Sequence, residues 1–367
     1  MTPFGIYIHW PWCLSKCAYC DFNSAPLGTL DLPRWQAAYR ADLQQLASLC
    51  PGRTVSSIFF GGGTPSLMPV PLLEDILSGI ARLFSLAPDC EISLEANPGA
   101  TETLKGIAQA GINRLSLGIQ SLDDDALAQL GRRHTATEAR RALADAQTLF
   151  PRVSADFITA RPGQTLSAWE TELTDILSLG LSHMSIYQLI LEPETRLARA
   201  HPVMPDEDTE TGMYALTQTM TAGAGLPAYE ISNHARPGEE CRHNLLYWHY
   251  GEYAGIGAGA HGRLHMERSV FATTMPVQPE SWLTCDGCPE MEALDIPAQI
   301  EESLIMGLRL TEGVARARME HLGWPDARAK AEIRQLVQMG FLEETEGFLR
   351  ATPEGRLRLN ALIARLA

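Results

Sequence analysis

The chain has 367 residues, enough to bury the core of one large α/β barrel or of two or three smaller domains. Its hydrophobic content of 45% and charged content of 20% are those of an ordinary globular protein. A formal net charge of -15 argues against nucleic acid or an anionic membrane surface as the main partner, because both would repel the chain.

Neither a run of about 18 apolar residues nor a basic and then apolar leader is visible in the sequence. The sequence therefore predicts a cytoplasmic protein without a membrane span. In a reducing compartment, its eight cysteines are better interpreted as ligands, reactive thiols or buried apolar residues than as disulfides.

The first predicted element is an apolar strand, residues 5–10, which leads into Cys13, Cys17 and Cys20 with the spacing C-x-x-x-C-x-x-C. Three ligands are too few for a structural zinc site, which takes four protein ligands. They suit a 4Fe-4S cube in which one iron is left open. Buried apolar thiols, and zinc with a fourth ligand from elsewhere, are the alternatives.

Strands and helices then alternate as far as residue 232. The predicted helices are residues 34–49, 71–84, 101–110 and 206–222, with others starting near 123 and 137, and the predicted strands are 55–60, 91–96, 114–119, 153–158, 183–190 and 228–232. Ser167 and Glu170 form a capping-box pattern that predicts the start of a further helix. Six or seven βα units in series predict an α/β fold with a parallel sheet, as a barrel or partial barrel.

The βα alternation stops between residues 237 and 297, where glycine, proline, aromatic residues and histidines dominate. We expect this segment to close the barrel mouth, because it is too aromatic for a solvated linker. Residues 298–367 predict three helices, a hairpin and a final helix, as in a winged-helix module. The sequence thus predicts three parts: the barrel at 1–236, the closing segment at 237–297 and the C-terminal domain at 298–367.

The winged-helix pattern is typical of DNA-binding proteins. Between Asp295 and Ala367, however, ten Lys or Arg residues stand against eleven Asp or Glu residues. The module therefore lacks the positive field that DNA binding requires.

Glycines and polar residues lie at the ends of several predicted strands, where the sites of such barrels are found. A glycine-rich turn with Gly62, Gly63 and Thr64 is either a ligand cradle or a tight turn, and it lacks the Gly-Lys-Ser/Thr of a P-loop. Further candidates, each of which could instead be an ordinary cap or surface residue, are Tyr7, Glu95, Gln120, Arg132 and Asp156.

His243 lies among aromatic residues, close to Tyr247 and Trp248. Such a histidine is either a hydrogen-bonded structural residue or an axial iron ligand with aromatic walls for a porphyrin.

The cysteine spacing, with Tyr19 directly before the last cysteine, resembles the signature of the radical S-adenosylmethionine (radical SAM) superfamily. The resemblance implies that SAM chelates the open iron, and that one electron from the cluster cleaves the sulfonium to a 5'-deoxyadenosyl radical. It also implies a set of cofactor contacts, namely Tyr7, Tyr19, Gly62, Gly63, Thr64, Glu95, Gln120, Arg132 and Asp156.

The pattern His-Asn-x-x-Tyr-Trp at 243–248 and Tyr-Gln-Leu at 187–189 resemble the HemW branch of that superfamily, over nearly the whole chain. This branch comprises haem chaperone-like relatives of the oxygen-independent coproporphyrinogen III dehydrogenase HemN. The resemblance implies binding of haem, with His243 as a candidate ligand, and delivery to acceptor proteins. It also implies an electron donor such as flavodoxin or ferredoxin.

Two departures separate the chain from the dehydrogenase. Phe22 stands where the dehydrogenase pattern has a further cysteine, and the N-terminal arm before Cys13 is short. Both favour the HemW branch. Coproporphyrinogen III dehydrogenation, and a non-enzymatic barrel that merely binds the cofactor, are the rival hypotheses.

Two features have no assigned role. Arg161 stands where the family usually has Leu in Gly-Leu-Pro, and we expect its guanidinium on the cofactor side of the barrel. Cys285 and Cys288 form a C-x-x-C pair in a loop-like segment. The pair is either a surface feature without a role, half of a metal site or a redox pair.

Overall fold

The structure is a computed structural model, and it describes residues 3–99, 101–266 and 269–367. The barrel part contains β1 (Phe4–Trp10), β2 (Trp12–Cys13), β3 (Ala25–Pro26), α1 (Leu32–Leu49), β4 (Thr54–Gly62), α2 (Val70–Leu83), β5 (Ser85–Ala96), α3 (Thr101–Gln109), β6 (Arg114–Gln120), α4 (Asp124–Gln129), α5 (Ala136–Leu149), β7 (Arg152–Thr159), α6 (Leu166–Leu177), β8 (His183–Gln188), α7 (Arg196–Arg199), α8 (Glu207–Gly223) and β9 (Asn233–Ala235). The remaining elements are α9 (Arg242–Trp248), β10 (Glu252–Ile256), β11 (His261–Met266), β12 (Ser269–Thr274), α10 (Pro279–Trp282), β13 (Glu290–Leu294), α11 (Ile296–Gly307), β14 (Val314–Ala315), α12 (Arg316–His321), α13 (Ala327–Gln338), β15 (Leu342–Glu344), β16 (Phe348–Ala351), α14 (Pro353–Arg356) and α15 (Leu359–Leu366).

An eleven-stranded sheet organises the barrel, in the order β13-β12-β11-β10-β1-β4-β5-β6-β7-β8-β9. From β10 to β8 the neighbouring strands are parallel, whereas β9 and β11 to β13 are antiparallel to their neighbours. In the described part of the chain, the two edge strands β13 and β9 do not pair with each other. The sheet is therefore an open, partial barrel, which confirms the predicted fold class.

The main core lies between the sheet and its outer helices. In α1 the residues at helical spacing, Trp35, Tyr39, Leu43 and Leu46, are buried against it, and the Asp31 side chain caps the first turn. β1 is buried along nearly its whole length, as expected for a central parallel strand with both faces covered.

Two local predictions in the barrel are wrong. The side chain that caps α6 is Thr165, which accepts a hydrogen bond from Ala168 N at 3.2 Å, and it lies two residues before the predicted Ser167. The predicted strand at 228–232 is also wrong, because β9 begins only at Asn233. Glu230 Oε1 accepts from Ser232 N at 2.8 Å, and this local bond holds a turn instead of a strand.

The segment that was expected to close the barrel mouth lies elsewhere for much of its length. Its start packs against the amino-terminal ends of the parallel strands: Arg152, the first residue of β7, donates to the Glu239 carboxylate, and Arg114, the first residue of β6, donates to Glu239 O. Beyond α9, β10 pairs with β1, and β11 to β13 continue the sheet from it. Most of the segment therefore extends the sheet, contrary to the expected position over the mouth, because its backbone hydrogen bonds are made along β1.

The C-terminal residues pack a separate hydrophobic core, centred on α11, α13 and α15, beside the small sheet β14-β16-β15. This arrangement is the predicted winged-helix-like domain. It contacts the barrel through an ion pair between Glu302 and Arg263 at 2.8 Å and a backbone bond from Thr311 to Tyr229. Among the described residues, no helix is both long and apolar enough to span a bilayer.

Candidate functional site

A cavity of about 380 Å³ opens at the carboxyl ends of the parallel strands, and we call it the cysteine cavity. Eleven of the thirteen site residues predicted from the sequence line it, namely Cys13, Cys17, Tyr19, Cys20, Gly62, Gly63, Thr64, Glu95, Gln120, Arg132 and Asp156. Tyr7 and His243 are not part of its lining. Side chains that are far apart in sequence thus meet at one end of the sheet, as parallel strands require.

The cysteine loop between β2 and β3 is held at both ends and in its middle. At its ends, β2 and β3 pair in parallel, with Cys13 opposite Pro26. In its middle, Ala18 N donates to Leu130 O at 3.0 Å, and Leu197 N donates to Ala18 O at 2.8 Å. A loop without long regular structure therefore has a defined position above the sheet.

The three thiols have different surroundings. Arg132 Nη1 donates to Cys17 Sγ at 3.3 Å, which places a positive charge next to this sulfur. Cys13 Sγ donates to Ala25 O at 3.5 Å. Burial raises the pKa of both Cys13 and Cys20.

The donor set fits an iron-sulfur cube better than a single metal ion. Three thiols line the cavity, and in a cube each thiolate would bind its own iron, whereas a structural zinc site takes four protein ligands. The cysteines are all free, and no described fourth cysteine lines the cavity.

The glycine turn is shaped by the backbone of the cysteine loop. Gly62 has a φ of 114°, and a Cβ there would lie 2.7 Å from Trp10 O. A Cβ on Gly63 would lie 2.5 Å from Trp12 O. Backbone bonds from Gly63 N to Trp10 O and from Thr64 N to Trp12 O join the two segments. The glycines are therefore required for close packing, in addition to any contact with a ligand.

The strand-end carboxyls are held in low-polarity surroundings. Glu95 Oε2 accepts from Gly62 N at 3.2 Å, and burial, followed by the negative charge of Asp156, raises the pKa of Glu95 to about 8. Burial also raises the pKa of Asp156, which accepts from Ser116 Oγ at 3.1 Å. Gln120 ends β6 with a φ of 71°, which turns the chain away from the sheet at the cavity wall.

Sequence reasoning missed Asn97 as a site residue. Its amide donates to Thr64 Oγ1 at 3.0 Å and its carbonyl accepts from Arg132, so it joins the glycine turn to the residue that bonds Cys17. Asn97 follows Glu95 by two positions, and the alternation of side chains along an extended segment could have indicated it.

Three large apolar side chains lie at the rim of the cysteine cavity, beside exposed polar residues such as Lys16 and Gln188. Phe22, Tyr187 and Ile190 line it with 62%, 44% and 69% of their surface exposed. Large apolar side chains so exposed at a cavity entrance indicate a surface that binds an apolar ligand or partner.

His243 lies near the opposite end of the barrel. Its Nδ1 bonds Ser57 Oγ and its Nε2 bonds Tyr247 Oη, both at 2.9 Å, and burial lowers its pKa to about 3. Ser57 and Gly62 are five residues apart on β4, which at roughly 3.3 Å per residue places them about 16 Å apart. The structure therefore does not bring His243 to the cysteine cavity.

Tyr7 lies between the two regions. Its hydroxyl and His9 Nδ1 form a hydrogen bond of 2.9 Å, and its ring centroid is 6.5 Å from that of His243. The other ring nitrogen of His9 bonds Asn23 O at 3.0 Å, so Tyr7 supports the chain just beyond the cysteine loop.

The remaining sequence features lie outside the cysteine cavity. Arg161 is buried and forms an ion pair with Glu172 on α6, in which its guanidinium donates to Glu172 Oε1 at 3.1 Å. Cys285 and Cys288 lie on the turn that follows α10, and both are free thiols.

Comparison with known proteins gives concordant results. Residues 7–176 match the family model of the radical SAM superfamily, and residues 294–358 match that of the HemN C-terminal domain. The chain is 35% identical to the heme chaperone HemW of Escherichia coli, covering 99% of this chain and 98% of the relative. It is 36% identical to the mitochondrial radical S-adenosyl methionine domain-containing protein 1 of Bos taurus, covering 99% and 87%.

Among solved structures, the fold is similar to that of coproporphyrinogen III oxidase (HemN) from Escherichia coli, with a TM-score of 0.84 and coverage of 100% of this chain and 90% of that one. The sequence identity is 18%, so the likeness concerns the fold alone.

Proposed function

The chain belongs to the HemW family of radical SAM proteins, and from this premise we propose that it is a haem chaperone that binds a 4Fe-4S cluster, SAM and haem and delivers haem to acceptor proteins. The observation that carries the proposal is the cysteine cavity, in which the three thiols, the strand-end carboxyls and the apolar side chains at the rim meet. An electron donor such as flavodoxin or ferredoxin and a cytoplasmic location are part of the proposal.

Cys13, Cys17 and Cys20 would hold the cluster, and Glu95, Gln120 and Asp156 would contact SAM. When bound, the cluster supplies one-electron reduction of the SAM sulfonium. A protonated Glu95, favoured by its raised pKa, is a hydrogen-bond donor towards an oxygen, whereas the amide of Gln120 both donates and accepts. These residues therefore bind and orient the cofactor.

The surrounding residues hold the thiols in place. Arg132 bonds Cys17 and, through Asn97, is tied to the glycine turn at Thr64. Truncation of Arg132 would remove a positive charge beside a ligand thiolate and leave Asn97 without this partner. Arg132 is thus proposed as a positioning residue for the cysteine loop.

The apolar side chains at the rim suit haem as cargo, because a porphyrin is a flat apolar ring that buries its faces against aromatic and aliphatic side chains. Phe22, Tyr187 and Ile190 present such side chains next to the cysteine loop. The sequence also offers His243 as a haem ligand. Ligation would require one of its two ring hydrogen bonds to break, and the proposal for haem at the rim does not depend on it.

Anaerobic reconstitution followed by haem titration tests the proposal. We expect the wild type and a Cys288→Ala control to bind an oxygen-sensitive cluster, and Cys17→Ala to lose it. We expect a shift of the haem Soret band with the wild type, and weaker binding by Phe22→Asp. Absence of both the cluster and the Soret shift in the wild type would refute the proposal, and steady conversion of coproporphyrinogen III to the vinyl product would replace it with the dehydrogenase.

A further inference from the structure

A second cavity, of about 690 Å³, lies on the outer side of the cysteine loop, and we call it the outer cavity. The two cavities share a wall, since four residues line both, namely Ser15, Cys17, Asn97 and Arg132. One of the three proposed cluster ligands is therefore reached from the barrel mouth on one side and from the outer surface on the other.

The outer cavity carries arginines without partners. Arg133 and Arg141 line it and are exposed, and neither makes a hydrogen bond or ion pair with any residue that the structure describes. Two acids also line the cavity: Glu102 pairs with Lys105 at 2.7 Å, and Glu138 accepts a hydrogen bond from the backbone at the N-terminus of α5. Neither forms an ion pair with Arg133 or Arg141, and together with Arg132 the lining carries three guanidinium groups against two carboxylates.

Arg196 adds a third such charge at the edge of the outer cavity. It is exposed, and its Nη2 lies 3.0 Å from the position that a Cβ on Gly131 would occupy, while Gly131 itself lines the cavity. No ion pair of Arg196 occurs among the described residues. The next residue, Leu197, bonds Ala18 O in the cysteine loop, so this arginine also lies close to the proposed cluster.

Three unpaired arginines at one place are unexpected in a chain with a net charge of -15. Most of such a surface repels acidic proteins, and a local positive patch steers them to one orientation. The patch surrounds the wall that contains Cys17, a proposed cluster ligand that lines both cavities. A protein docked on the patch would therefore approach this ligand from the side away from the barrel mouth.

We propose that the outer cavity, with Arg133, Arg141 and Arg196, is the docking surface for an acidic protein that carries one electron at a time. The inference rests on the proposed function, because it presumes a cluster at Cys17. In the docked complex the carrier is oxidised by one electron and the cluster is reduced by one, and no bond forms or breaks. The partner is identified by its chemistry, an acidic surface around a low-potential redox centre.

The test compares Arg133→Glu/Arg141→Glu with Arg82→Glu/Arg334→Glu, a control in which two exposed arginines on α2 and α13 are reversed. Reduced flavodoxin is the acidic probe, and photoreduced 5-deazariboflavin is the small reductant. We expect the double variant at the outer cavity to lower the second-order rate constant of cluster reduction by flavodoxin by about tenfold or more. Reduction by 5-deazariboflavin should stay within about twofold, and the control should match the wild type.

Binding of oxidised flavodoxin provides a readout that does not need the cluster. We expect its Kd for the wild type to rise with salt, as for steering by exposed charges, and to rise by about tenfold in the outer-cavity variant. An unchanged Kd and rate in that variant, an equal loss in the control, or wild-type binding that is indifferent to salt would each overturn the proposal. A wild type that binds no cluster and no haem would instead refute the proposed function, and the Kd measurement would still decide on docking.

Discussion

At the scale of single residues, Glu95 shows how the fold changes the chemistry of a side chain. Its carboxyl lines the cysteine cavity, bonds Gly62 N and faces the charge of Asp156. Burial and that charge favour the protonated form in the folded state, whereas in an unfolded chain a glutamate titrates near about 4.3.

A pH dependence of stability follows for the protein without cofactor. Because the folded-state pKa of Glu95 is about 8, the native state binds more protons than the unfolded state between about pH 4.3 and pH 8. The free energy of unfolding should fall as pH rises through this window. We expect Glu95→Gln to flatten the fall and the exposed Glu102→Gln to leave it unchanged, as measured by urea unfolding at several pH values. Equal slopes for wild type and Glu95→Gln would contradict the assignment.

For His243, the structure favours one of the two roles that the sequence allows. From the sequence, His243 is either a haem ligand or a structural histidine. The structure shows a ring that is 1% exposed, hydrogen-bonded at both nitrogens and 5.1 Å from the ring of Phe59.

His243→Ala should therefore act mainly on stability. It leaves a cavity and removes the partners of Ser57 and Tyr247, a loss of about 2 to 4 kcal/mol in the free energy of unfolding. We expect haem affinity, measured by Soret titration, to stay within about twofold, because neither nitrogen is available to iron. Exposed His321→Ala is the control. A tenfold loss of haem affinity at full stability would establish His243 as the ligand.

At the scale of elements, the cysteine loop depends on its neighbours more than on its own sequence. Its position is set by the pairing of β2 with β3 and by bonds from Ala18 to the ends of α4 and α7. The turn after β4 completes the support, because the backbone of Trp12 packs directly on Gly63.

Gly63→Ala tests this support. Its Cβ would meet Trp12 O at 2.5 Å, so backbone must move, with a loss of about 1 to 3 kcal/mol in stability. We expect lower iron content after reconstitution as well, since the loop that carries Cys13 shifts. Gly28→Ala is the matched control, because no atom lies within 4 Å of its added Cβ and neither glycine has a positive φ. Normal iron content in Gly63→Ala would contradict a positioning role for the turn.

At the scale of the whole molecule, the C-terminal domain is joined to the barrel by a set of specific contacts. Glu302 on α11 pairs with Arg263 and accepts from Tyr250 Oη at 2.6 Å, and Arg318 lies over the Tyr250 ring. Glu312 also pairs with His249, Arg309 lies over the Trp248 ring, and Ile231 packs against the C-terminal core. We propose that residues near 298 mark the boundary between two units that unfold together because of these contacts.

Glu302→Ala should uncouple them. Loss of the partly buried ion pair and of the tyrosine bond should cost about 1 to 2 kcal/mol and should separate the calorimetric unfolding transition of the C-terminal domain from that of the barrel. The control, Glu343→Ala, removes an exposed pair within the C-terminal hairpin, and we expect it to change stability by less than about 0.5 kcal/mol. A single unshifted transition in Glu302→Ala would contradict the coupling.

The sequence by itself determined most of the βα series and eleven of the residues that line the cysteine cavity. The three thiols lie within one short loop, and residues such as Glu95 and Gln120 stand at strand ends, which parallel pairing must bring to one side. Both signals are local, so they need no knowledge of distant contacts.

Only the tertiary structure decided the rest. β10 pairs with β1, which is distant in sequence, and nothing in the composition of residues 252–256 indicates a central strand. The same long-range packing places His243 beneath the barrel and brings Arg133 and Arg196, distant in sequence, to the outer side of Cys17. These positions depend on packing and hydrogen bonds between residues that are far apart in the chain, and the periodicity of a sequence reports only on local structure.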